Sequence, residues 1–133
     1  MRKCCKRTVR PIAAPLSAKQ RTDLLLGPRL HLDLLMAGAI EVAYLQSVQR
    51  ILDTACILAH QLNRPDLMPC LEAALNVIIQ LTEKNRTLNG EEQATLRDGF
   101  NLAEAWIGLQ TTVVLNRAMI GYDRRLASST IHR

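Results

Sequence analysis

Aromatic side chains are nearly missing from this sequence. Phe100, Trp106, Tyr44 and Tyr122 are all it has among 133 residues. Its core must therefore be aliphatic. Nowhere do aromatics alternate with cations as in a base-stacking surface for single strands. No apolar run reaches the roughly 18–20 uncharged residues that a membrane helix needs, so no membrane span is expected. The short-range patterns of catalysis are absent as well. There is no HExxH, no GxSxG, no glycine-rich phosphate loop and no CxxC. Without them a nucleotide enzyme, a serine hydrolase and a zinc finger all lose their usual sequence support.

The four cysteines, Cys4, Cys5, Cys56 and Cys70, do not make a disulfide framework. Cys56 and Cys70 fall on apolar helical faces and read as small hydrophobes. His31, His60 and His132 are too scattered to ligate a metal together. Glu91 and Glu92 read as helix-start charge, and Glu104 as a solvated side chain. No metal, no cofactor and no catalytic residue is expected.

What the sequence does have is leucine, alanine and isoleucine, with 48% of residues apolar. A chain of this length is one domain on ordinary priors and can bury a real core. Its charge is lopsided. Seventeen Lys and Arg face twelve Asp and Glu, for a net +5. Five of those cations (Arg2, Lys3, Lys6, Arg7 and Arg10) lie in the first ten residues, which hold no acid. Residues 11–133 thus carry twelve of each sign and are formally neutral.

The cationic start is followed by Arg10, Pro11 and Pro15, with no apolar run directly after it, so no secretory signal is expected. The cytoplasm is the default location. Residues 1–16 read as an extended basic arm, since proline pushes the residue before it away from helix. Ser17 and Gln20 have capping-box spacing and predict the start of a first helix. Gly27-Pro28 predicts a kink or break within it, and Gly38 a stop. A second helix is expected over about 39–62 and a third over about 66–84. Asn89, followed by Glu91 and Glu92, predicts the start of a fourth. No proline follows, so this last helix is expected to persist to about Ala127, about 50 Å at 1.5 Å per residue, with Gly99, Gly108 and Gly121 as the points where it would bend or fray.

The expected fold is all-α: a four-helix bundle-like domain over 17–127, a long C-terminal helix, the basic N-terminal arm and a tail over 128–133. A last helix longer than its neighbours would leave IGLQTTVVLNRAMIGY uncovered. That predicts self-association, a homodimer built on Trp106, Gln110, Val113, Val114, Arg117 and Ile120. The arm, with Arg124 and Arg125 near the other end, is the candidate contact for nucleic acid or another acidic partner through non-specific backbone charge. The competing reading is a solvated terminus on a pure protein–protein module, such as an inhibitor or adaptor of a host protein.

The order of an RxxRPI start, AKQRTDLLL, HLDLLMAG, ILDTACILAHQLNRPD, LRDGFNLAEAWIGLQ and NRAMIGYDRRL resembles small prophage or mobile-element helical proteins often labelled Fis-like transcriptional regulators. The resemblance spans most of the chain. It implies a dimeric, DNA-binding helical regulator with a C-terminal helix-turn-helix. The sequence departs from that pattern: after the expected long helix only RRLASSTIHR remains, too little for two further helices. No DNA-reading residue is carried over. The expectation is a non-enzymatic regulatory or accessory protein.

Overall fold

The computed structural model describes residues 15–131, with side chains described as far as Asp123 apart from Gly121. The basic residues Arg2, Lys3, Lys6, Arg7 and Arg10 lie outside the described residues. Those described are helical apart from their links, and none forms a strand. The helices are α1 (Ala18–Met36), α2 (Val42–Gln61), α3 (Met68–Lys84), α4 (Gly90–Gly108) and α5 (Thr112–Ile131). A short 3-10 turn, Pro65–Leu67, leads into α3.

Two helix starts follow the local rules. Ser17 Oγ accepts from the Gln20 amide at 3.1 Å, and the Ser17 amide donates to Gln20 Oε1 at 2.9 Å. The same reciprocal pair joins Asn89 and Glu92, at 2.8 and 3.1 Å. Each box satisfies donors that a helix leaves unpaired at its first turn. Gly38 turns the chain out of α1 with φ +100°, and Asn85 ends α3 with φ 46°. Both adopt the left-handed geometry that glycine and asparagine tolerate best.

Two expectations need correction. Of the kink or break expected at Gly27-Pro28, the break is absent: the first helix is continuous from Ala18 to Met36. Proline removes one amide donor there, but Leu25 on one side and Leu32 and Leu35 on the other are buried. Burial of about 1.5–3 kcal/mol per leucine, on both flanks, offsets a local loss of about 3 kcal/mol.

The long C-terminal helix is also divided. It stops at Gly108 and restarts at Thr112, so the described residues form five α-helices where four were expected. Several hydrogen bonds hold the corner. The Gln110 side chain donates to the Trp106 carbonyl at 3.0 Å. Thr111 Oγ1 accepts from the Val114 amide at 3.3 Å, as a helix-capping hydroxyl does. The Leu16 amide donates to the Gln110 carbonyl at 3.3 Å, and Pro15 bridges Thr111. Pro15 and Leu16, expected in the arm, are therefore tied to this corner, and Leu16 is buried.

α2 is the axis of the fold. It packs against α1, α3, α4 and α5 alike. Accordingly it is buried around most of its circumference: Ile51 and Leu52, Thr54 and Ala55, and Ile57, Leu58 and Ala59 are all inside. So wide an apolar face belongs in an interior, and the edge with Gln46, Gln49 and Arg50 stays polar. The hydroxyl of Thr54 is satisfied by the Arg50 carbonyl at 2.7 Å. Around this axis α3 and α4 form the closest pair, because Gly99 of α4 presents no side chain to Ala74 of α3. Phe100, fully buried, and Leu96, Ala103 and Ile107 complete the core from α4.

Candidate interaction surface

The corner at 109–111 decides the fate of the predicted association residues. α5 turns back onto α2 and buries Leu115 and Ala118 there. Trp106 and Gln110 are enclosed, at 8% and 7% exposure. Val114 is half-buried. Only Val113, Arg117 and Ile120 face solvent. The six residues thus do not form one patch, although Leu109, Val113 and Ile120 of the same stretch are 74%, 45% and 50% exposed. Positions 124 and 125 lie on the backbone of α5; the side chains of Arg124 and Arg125 are outside the described residues.

Four arginines of the body are held by carboxylates of the same chain. Arg86 makes a two-pronged bond to Glu92, 2.6 Å on each prong. That contact, before all else, holds the Glu92 carboxyl at about 2. Arg64 grips Asp66 at 3.0 and 2.9 Å, which lowers the aspartate and raises the guanidinium. Arg50 lies 3.4 Å from Asp123. Arg29 lies 4.0 Å from Glu104 and donates to Asn101 Oδ1 at 2.9 Å.

The aromatics are engaged too. Guanidinium groups stand over three rings: Arg29 over Phe100 at 5.5 Å, Arg64 over Trp106 at 5.3 Å and Arg50 over Tyr122 at 5.9 Å. The fourth, Tyr44, stacks on His31 with centroids 5.0 Å apart. Such contacts steady rings at the edge of a core. They leave no ring arranged as a platform for a base.

Among the described residues no three His, Cys, Asp or Glu side chains cluster as metal ligands would. Cys56 and Cys70 are half-buried thiols. Burial pushes the Cys70 thiol up, with Asp98 adding to the effect, the reverse of what a nucleophilic cysteine needs. No helix among the described residues is long and apolar enough to cross a membrane.

The most distinctive surface is one that the helical pattern alone did not reveal, the outer side of α1. Leu25, Leu32 and Leu35 are buried, yet Leu26, Leu30 and Leu34 are 52%, 52% and 40% exposed. Steps of four residues align these three along the opposite side of the helix. Leu26 also borders an open groove of about 520 Å³ between α1 and α4, lined by Arg21, Leu25, Arg29, Asn101, Glu104 and Ala105 among others. A hint existed in the sequence: three consecutive leucines, Leu24–Leu26, cover more of a helix than a single neighbour can bury. No family model, curated protein or solved structure matches this chain.

Proposed function

We propose that this is a non-enzymatic regulatory or accessory protein, of phage or mobile-element type, that acts in the cytoplasm by binding. Its cationic segment, Arg2, Lys3, Lys6, Arg7 and Arg10, makes backbone contacts to nucleic acid. The observation that carries this reading is the division of charge. The body is formally neutral, and four of its arginines are already engaged by its own carboxylates. Electrostatic attraction for a polyanion is thereby concentrated in the first ten residues.

The test is affinity for random-sequence duplex DNA across a salt series. Each neutralised phosphate contributes about −0.9 to the slope of log affinity against log salt, so five contacts give about −4 to −5. Removing residues 1–10 should abolish binding. Binding that survives the deletion, or no binding at low salt, overturns the reading. A second reading, a protein–protein module in which the basic segment is incidental, is favoured by the exposed leucines of α1. In that case duplex binding is absent while association through α1 persists.

A further inference from the structure

We infer that the groove between α1 and α4 seats an acidic, leucine-bearing helix of a partner protein. The two helices run antiparallel here, since Arg21 reaches Gly108 while Arg29 reaches Asn101. Between those ends lie Leu25, almost wholly buried, and Leu26, half exposed. Ala18 and Ala105 stand exposed on the two walls. Small side chains on both walls let a third helix approach to the usual separation of about 8–10 Å between axes. A small ligand is normally enclosed over most of its surface. An open trough of about 520 Å³ suits a helix laid along it instead.

Charge then narrows the partner. The groove holds two guanidinium groups and one carboxylate. The carboxylate, Glu104, lies 4.0 Å from Arg29, which also donates to Asn101 Oδ1 at 2.9 Å. Arg29 is thereby occupied. Arg21 differs, because among the described residues it has no carboxylate partner. Its position is set all the same. Gly108 has no side chain, and a Cβ there would meet Arg21 Cδ at 3.2 Å, so the arginine lies against the end of α4. The negative end of that helix favours a cation at this spot. A guanidinium held in place, uncompensated and beside a leucine floor recognises a carboxylate on an aliphatic scaffold. A phosphate backbone fits less well, since the leucine floor offers it nothing and Glu104 repels it.

Arg21 and Arg29 are eight residues apart on α1, about 12 Å at 1.5 Å per residue. About two turns of the partner are therefore engaged. They carry one carboxylate for Arg21 and, on the same face, aliphatic side chains for Leu25, Leu26 and Ala105. A contact of that length is at the small end of specific interfaces, so binding is weak and reversible. The inference gives the protein–protein reading a class of partner. It does not depend on residues 1–10, so it and the duplex-binding reading fail separately.

Fluorescence anisotropy tests it, with the full chain and two labelled helical peptides of alanine and glutamine. Each peptide carries two leucines along one face, headed by glutamate in one and by lysine in the other. The wild type should bind the glutamate peptide about tenfold more tightly than the lysine peptide. Arg21→Glu should reverse that preference, an outcome that misfolding cannot imitate. Ala105→Trp, at an exposed position of the wall, should abolish binding. Arg97→Glu, exposed on α4 outside the groove, should leave it unchanged. No binding of the glutamate peptide, equal binding of the two, or a preference that persists in Arg21→Glu overturns the inference. So does binding that survives Ala105→Trp, or a loss on Arg97→Glu as large as that on Arg21→Glu.

Discussion

Gly99 and Ala74 face each other across the α3–α4 contact with no space left for another atom: a Cβ added at Gly99 would collide with the Cβ of Ala74. Gly99→Ala should therefore destabilise the protein by about 1–3 kcal/mol, although alanine is the better helix former. Gly27, on α1, has open space around it. Gly27→Ala should stabilise by about 0.5–1 kcal/mol. Urea denaturation of both variants checks the contrast. Adding Ala74→Gly to Gly99→Ala should recover part of the loss.

Glu92 makes stability pH-dependent. Its folded carboxyl sits at about 2, below the ordinary 4.5, chiefly because Arg86 bonds it. A lowered folded value means that the unfolded chain takes up the proton first. The stabilisation is complete above about pH 4.5 and is lost as pH falls towards about 2. Glu92→Gln should flatten that part of the stability curve measured by chemical denaturation. Arg86→Met should flatten it too.

Phe100 is the only phenylalanine and has no exposed surface. Phe100→Ala leaves a cavity at the centre of α4 and should lose about 3–5 kcal/mol. The loss should appear as a lower urea midpoint with little change in slope.

Gln110→Leu tests the corner between α4 and α5. The side-chain amide is buried and donates to the Trp106 carbonyl. The Trp106 carbonyl keeps the Leu109 amide at 3.2 Å, so losing this one bond should destabilise by about 0.5–1.5 kcal/mol. Trp106 is the only tryptophan, so its fluorescence reports the corner directly. Val113→Glu, on an exposed side chain of α5, should stay within about 0.5 kcal/mol of wild type.

The all-helical class and two of the helix starts were legible because both are local properties. Ser17 with Gln20, and Asn89 with Glu92, signal their own caps within four residues. Pro28 makes no break, for the complementary reason. The rule that proline breaks a helix is local, whereas the burial of Leu25, Leu32 and Leu35 that carries α1 past it is tertiary. The division at 109–111 was legible only as a weak point at Gly108, one of three glycines, because Gly108 and Thr111 become a corner only with Gln110 and Leu16 bonded to it. The outer leucines of α1 were missed because periodicity assigns any aligned leucine to the core. Leu30 and Leu32 differ only in which neighbour lies beside them.

The position of α2 at the axis bears on how the molecule comes apart. α5 leans chiefly on α2, and so does α1 apart from its edge on α4. Either can peel away while the rest stays intact, so their amides should exchange with deuterium through small, frequent openings. The amides of Leu52, Ala55 and Leu58 have no such route. They should exchange only when the whole domain unfolds, and their rates measure its global stability.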